Sequence, residues 1–387
     1  MLPEGLDRRE FLSACGRLGL GALAAGGLCS VGSMLCPPAA QAAVGNVSSQ
    51  VARFWESNGD GSVTCNLCPR HCQPTEGERG NCLARLNRGG QLTSLVYGKP
   101  AAVHGDPIEK APFFHYHPGW RTLAVGTAGC NQHCKFCQNW EFTQSLPETT
   151  DNQDLSPASM AEQVQSWGIP IIIFTLNDPI QCIEYFLDTA KEAHARGILI
   201  VLHTGGYCCQ EPFKEILHAT DAICMDLKGF TEDYYKSMTG AQLATVQESI
   251  KLAHGSGKWL ELINLVIPGY NDNPDTFRQM CQWIVGDLSP DVPLFVSRFF
   301  PKYQLRRLES TSPDTLRALR KIAYEVGLRY CYLGNMPGDM AESTYCPACG
   351  CKVIKRNGSE IVNTGLNFDT GTCSQCGYRL AGVWQPG

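Results

Sequence analysis

The chain has 387 residues, 43% of them hydrophobic, and carries 32 Lys and Arg against 37 Asp and Glu for a net charge of −5. That length supports one large buried core with small modules attached. The nearly balanced, slightly acidic charge excludes the basic face of a nucleic-acid binder, and neither an internal repeat nor a long low-complexity tract is present.

Residues 1–42 form a segment of their own. Arg8 and Arg9 precede Phe11 and Leu12, a Gly/Ala/Leu-rich stretch follows over 18–36, and Ala40-Gln41-Ala42 offers a cleavage site. This is the pattern of a twin-arginine-type signal or tether, a route that carries folded, cofactor-loaded proteins. Export or membrane tethering is the expectation, with a cytoplasmic protein as the alternative. No transmembrane domain is expected apart from that segment.

Residues 43–118 are expected to form an N-terminal Cys-rich module, beginning with a polar linker over 43–60 and containing a hairpin-like stretch over 91–97. From 119 to 340 apolar runs alternate with helical patterns, the mark of βα units on a parallel sheet. Strands are predicted at 122–125, 171–175, 199–203, 222–226, 260–266, 294–298 and 330–333. Helices are predicted at 157–167, 179–196, 212–219, 245–256, 274–285 and 313–326, several opening on Pro in the first turn, where a missing N–H costs nothing. The fold class is α/β, a partial (β/α) TIM-like barrel, with its chemistry at the C-terminal strand ends. Residues 341–387 form a last Cys-rich tail.

Twenty-one cysteines are many for an ordinary enzyme, and most are grouped. Short C-x2-C and C-x3-C spacings gather thiolates around one centre, whereas a disulfide framework spreads them. The central group is Cys130-Asn-Gln-His-Cys134-Lys-Phe136-Cys137, directly after the first barrel strand. A 4Fe–4S cluster takes four thiolates. Three leave one iron open to the amino and carboxylate groups of S-adenosylmethionine (SAM). The alternative is a structural zinc loop completed by His133 or a distant Cys.

C-x3-C-x-aromatic-C is the radical SAM signature, and the surrounding residues resemble the pyruvate formate-lyase activating enzymes. The closer likeness is to the radical SAM member of the AmmeMemoRadiSam system, named for its association with AMME-type and Memo-type proteins. It runs from about Cys65 to the C-terminus through Cys65-Asn-Leu-Cys68-Pro-Arg-His-Cys72, Asp106-Pro-Ile-Glu-Lys110, Asn139-Trp140, Asp226-Leu-Lys228 and Ile267-Pro-Gly-Tyr-Asn-Asp272. The resemblance implies a 4Fe–4S cluster on Cys130, Cys134 and Cys137. It also implies a SAM site bordered by Phe136, Asn177, Asp178, Thr204, Gly205, Asp226 and Lys228. Asp178 would meet the SAM ammonium in a charge-assisted hydrogen bond, although Asp-Pro also starts helices. Thr204-Gly205-Gly206-Tyr207 would border the ribose, and Ile267-Pro268 would pack on the adenine. Asp226 and Lys228 are either polar contacts to ligand or a local ion pair.

Two further groups flank the triplet. Cys65, Cys68, Cys72 and Cys82 fall within eighteen residues and suit an auxiliary iron–sulfur cluster or a zinc ion. Such a cluster would relay electrons or bind substrate. Cys346-x2-Cys349 and Cys373-x2-Cys376 make two knuckles of the zinc-ribbon kind, expected to hold zinc, with Cys351 spare. Cys182, Cys208, Cys209, Cys224, Cys281 and Cys331 are expected in the core. The expected function is reductive cleavage of SAM to a 5′-deoxyadenosyl radical that takes hydrogen from an unknown substrate. A glycyl-radical activase and a non-catalytic electron-transfer protein are the alternatives. A low-potential electron donor and AMME-type and Memo-type proteins are the expected partners.

Overall fold

Ile171–Phe174 reads Ile-Ile-Ile-Phe, and all four side chains are buried. A run this apolar and β-branched belongs where both faces of a strand are covered. It lies inside the large sheet of the computed structural model, which describes residues 43–384. The expected signal or tether at 1–42 lies outside the described residues.

The sheet contains, in chain order, β1 (Pro100–Pro107), β2 (Arg121–Thr127), β3 (Ile171–Phe174), β4 (Leu199–Thr204), β5 (Ala222–Asp226), β6 (Trp259–Val266), β7 (Leu294–Arg298) and β8 (Cys331–Gly334). From β2 to β8 the strands are parallel and stand side by side in sequence order, and β1 adds an antiparallel edge beside β2. The crossovers carry α1 (Pro157–Ser166), α2 (Ile183–His194), α3 (Gln210–His218), α4 (Leu243–Gly255), α5 (Pro274–Trp283) and α6 (Pro313–Val326). This is a mixed α/β fold with a mostly parallel sheet, and it is open, because β1 and β8 are its two edges.

The two faces of the strands bury different partners. Leu123, Val125, Ile172, Phe174, Leu202 and Ile223 pack in one cluster with helix residues such as Met160, Phe186 and Val246. The alternate residues Ala124, Ile171, Ile173, Val201 and Cys224 pack against Ile108, Phe113 and Tyr116. Segment 108–118 thus fills the side where a closed barrel would pack its own strands. Three helices start on Pro, as the sequence predicts, each behind a capping side chain: Ser156 for α1, Asn273 for α5 and Ser312 for α6 accept from a backbone N–H of the first turn. Such a cap stabilises by about 1 kcal/mol.

The structure departs from the sequence expectations at the N-terminal side. Residues 43–60 are no plain linker, since Ala43–Val44, Gln50–Val51 and Trp55–Ser57 each pair with another strand. Residues 100–107, assigned from sequence to the N-terminal module, belong to the large sheet as β1. The stretch 179–196 is a 3-10 turn at Pro179–Cys182 followed by α2. Of the six cysteines expected in the core, five are buried and Cys209 is half-buried at the start of α3. Among the described residues no helix is long and apolar enough to cross a membrane.

Candidate active site and cysteine centres

The loop after β2 is pinned by backbone before any side chain acts. The Cys130 N–H donates to the Cys82 carbonyl at 3.1 Å, His133 N–H to Thr239 at 2.8 Å and Lys135 N–H to Met238 at 2.9 Å. Gly129 sits at φ +79°, and a Cβ there would lie 2.3 Å from the Cys82 oxygen, so only glycine fits. The loop bends Cys130, Cys134 and Cys137 toward one cavity of about 270 Å³ over the strand ends. Cys130 and Cys134 are buried, and burial raises both thiol pKa values, that of Cys134 to about 12 against the opposing charge of Lys228. His133 is turned away: its ring nitrogens meet Gln144 Oε1 at 2.7 Å and Asn81 Oδ1 at 2.5 Å. It is therefore no fourth ligand to the triplet.

The strand ends supply the remaining wall. Thr175 follows β3, His203 lies near the end of β4, Asp226 ends β5 and Leu265 lies near the end of β6, and all four line the cavity with Phe136 and Lys228. Asp226 accepts from Lys228 Nζ at 2.7 Å and faces His203 Nε2 at 3.5 Å. Although burial opposes its ionisation, Lys228 and His203 hold this carboxyl well below the usual carboxylate range. Asp178 is buried, with Oδ1 accepting from Thr204 Oγ1 at 2.6 Å and from Ile180 N–H at 3.4 Å. Its Oδ2 has no partner. Burial raises the Asp178 pKa against the pull of Thr204.

Not every expected contact faces the cavity in the same way. Asn177 lines it, yet its amide donates to Thr127 Oγ1 at 3.1 Å and Gly129 O at 3.0 Å and so steadies the triplet loop. Thr204 lies behind Asp178, while Gly205 reaches the cavity, and a Cβ on Gly205 would meet Gln132 Nε2 at 2.4 Å. Ile267 is buried in the core, and Leu265 lines the cavity.

Residues 125–284 match the family model described as the Radical SAM superfamily. An uncharacterized protein of Methanocaldococcus jannaschii is 38% identical over 331 residues, covering 85% of this chain and 98% of that protein. The chain belongs to the radical SAM superfamily. It is an enzyme with homology to activating enzymes: the pyruvate formate-lyase-activating enzyme of Clostridium pasteurianum is 23% identical over 222 residues, 54% of this chain and 92% of that enzyme. A solved domain of pyruvate-formate lyase-activating enzyme from Bacteroides vulgatus covers 42% of this chain and 98% of its own, at 15% identity and a TM-score of 0.37.

Radical SAM membership implies a 4Fe–4S cluster and SAM, and the residues at the cavity fit both. Three thiols free of disulfides converge there. The partnerless Asp178 Oδ2 and Gln132 Nε2 offer a buried acceptor and a buried donor to a zwitterionic ligand. Gln132, Thr175 and Leu265 were not singled out from sequence. Gln132 lies inside the triplet motif but carries no pattern of its own, and the other two are ordinary strand-end residues. His115 is fully buried against the C-terminal tail, touching Ala381 O and the Tyr332 hydroxyl.

The terminal quartet forms a compact centre. The sulfurs of Cys346, Cys349, Cys373 and Cys376 all lie within 4.8 Å of one another, with Cys346 and Cys376 at 3.6 Å and Cys349 and Cys373 at 3.7 Å. Four bonds of about 2.3 Å to one tetrahedral ion place sulfurs about 3.8 Å apart. The two knuckles repeat one turn: Gly350 and Gly377 both take φ +74° and donate to Cys346 O and Cys373 O. Cys351 lies 3.2 Å from Cys373 and outside the quartet.

Proposed function

We propose that Cys130, Cys134 and Cys137 ligate the 4Fe–4S cluster through three of its irons and leave the fourth to SAM. When bound, the two cofactors supply a one-electron cleavage that yields a 5′-deoxyadenosyl radical able to take hydrogen from a substrate. The residues of this chain bind and orient. Asp178 Oδ2 accepts from the SAM ammonium, Gln132 Nε2 donates to the SAM carboxylate, and Gly205 lets the backbone approach the ligand. Lys228 is held by Asp226, and that pair, with Phe136 and Leu265, walls the pocket from water. The observation that carries this reading is the partnerless buried carboxylate oxygen of Asp178 in the cavity lined by the triplet. In anaerobically reconstituted, reduced protein, SAM is expected to shift the EPR spectrum of the cluster, and Cys134→Ala is expected to abolish that shift. A spectrum indifferent to SAM would contradict an open iron.

Within that chemistry we favour an enzyme of the AmmeMemoRadiSam type that associates with AMME-type or Memo-type proteins and draws on a low-potential donor. The likeness to pyruvate formate-lyase-activating enzyme supports a second reading, a protein glycine as the hydrogen source. Zinc is proposed for the terminal quartet on its sulfur spacing. The twin-arginine-type segment is proposed to direct export or tethering of the folded, cluster-loaded enzyme.

A further inference from the structure

Cys65, Cys68, Cys72 and Cys82 converge from two turns of the N-terminal module onto one small pocket, which Arg85 and Asn131 also line. Among the described residues, the terminal quartet is the one group of three or more His, Cys, Asp or Glu whose ligand atoms all lie within 4.8 Å. The Cys65–Cys82 thiols are thus spread wider than one ion with bonds of about 2.3 Å can span. A polynuclear cluster has that reach.

Two kinds of donor point at these sulfurs. Backbone N–H groups point at them: Asn81 at Cys72 Sγ (3.4 Å), Arg70 at Cys68 and Ala84 at Cys82. The Arg85 guanidinium, almost fully buried, lies 3.7 Å from Cys65 Sγ. Arg85 is also ion-paired with the equally buried Glu184, so one positive charge and one negative charge already balance there. Hydrogen bonds to sulfur and buried charge are the means by which a protein holds and tunes an iron–sulfur cluster.

We propose that Cys65, Cys68, Cys72 and Cys82 hold a second iron–sulfur cluster, a 4Fe–4S centre with all four irons ligated by protein. Complete ligation leaves no iron for a substrate, so its work is electron transfer. One electron from a donor of the ferredoxin or flavodoxin class enters at the half-buried Cys72 and passes to the triplet loop, with no bond made or broken at the site. The path is short. The Cys82 carbonyl accepts from Cys130 N–H, and Arg70 Nε donates to Asn131 O at 3.0 Å. Only the identity of the electron's acceptor rests on the radical SAM reading.

The full chain with Cys130, Cys134 and Cys137 all changed to Ala, reconstituted anaerobically with ferrous iron and sulfide, is expected to keep about four irons and about four acid-labile sulfides. On reduction it should give a cluster EPR signal that SAM does not move. A variant holding zinc or sulfide-free iron at this site would overturn the proposal. Mössbauer spectra of the unmutated chain provide the same answer without relying on a variant that folds: two clusters support it and one contradicts it. For the relay, Cys72→Ser should lower the ratio of flavodoxin-driven to dithionite-driven SAM cleavage by at least about tenfold, and an unchanged ratio would refute electron transfer through this site. Failure of the radical SAM reading is separately visible, as a SAM-insensitive spectrum in the unmutated chain.

Discussion

Asp178 does two things with one side chain. Oδ1 caps the turn at Pro179–Cys182 and accepts from Thr204, while Oδ2 is left without a partner in a buried site. A buried, unpaired carboxylate oxygen costs free energy unless a ligand completes it. Asp178→Asn keeps the cap and removes the charge. It is expected to weaken SAM binding to the reconstituted protein by about 1.5–3 kcal/mol, roughly ten- to a hundredfold in Kd, by equilibrium dialysis. An unchanged Kd would place the SAM ammonium elsewhere. The resemblance pointed to Asp178 at the cavity. The place of Gln132 there was not legible, since it depends on where the loop turns after Gly129. That turn is set by the contact with Cys82, far away in the chain.

At the scale of elements, the C-terminal tail is locked to the sheet through His115. Its neutral ring meets Ala381 O at 2.6 Å and the Tyr332 hydroxyl at 2.5 Å, with Glu261 and Arg356 as its charged neighbours. Burial pushes its pKa down to about 3, with the Ala381 carbonyl opposing and Arg356 assisting. The unfolded chain takes up the proton near pH 6.5 and the folded chain only near 3, so this stability is complete above 6.5 and drains away as pH falls toward 3. The full effect is on the order of 5 kcal/mol. Glu261, pushed up to about 7 by burial, acts in the opposite sense, so the comparison must be between His115→Gln and the unmutated chain. Between pH 6.5 and 4 the unmutated chain should lose stability with a slope steeper by about one proton; equal slopes in denaturant titrations would contradict the buried neutral ring. The terminal quartet belongs to the same element. On the proposed zinc site, a chelator should release one zinc per chain and open 341–384 to protease, because a structural zinc would supply a tail this short with about 10 kcal/mol. Protection that survives metal loss would show that burial of Val353, Ile354 and Trp384 suffices alone. The barrel strands were legible because Ile171–Phe174 and its parallel neighbours are apolar on both faces. β1 was not: Pro100, His104, Gly105 and Asp106 are poor strand formers, and pairing with β2 alone makes them one.

Over the whole molecule, three groups of cysteines meet three different geometries. One quartet is tight enough for a single ion, one is spread around a pocket, and the triplet opens into the cavity at the strand ends. The spacing of the cysteines announced three groups, but not how closely the sulfurs of each gather, because sulfur separation is fixed by folding and not by sequence distance. Residues 43–99 are fastened to the large sheet and its helices through Arg85 and Glu184 and through the Cys82–Cys130 contact, so the triplet loop and this segment form one structural unit. The central claim is that this unit cleaves SAM reductively. The most direct measurement is formation of 5′-deoxyadenosine by the anaerobically reconstituted full chain with SAM and dithionite. Product from the unmutated chain and none from Cys134→Ala is the expected result; no product from a chain fully loaded with iron and sulfide would contradict the account.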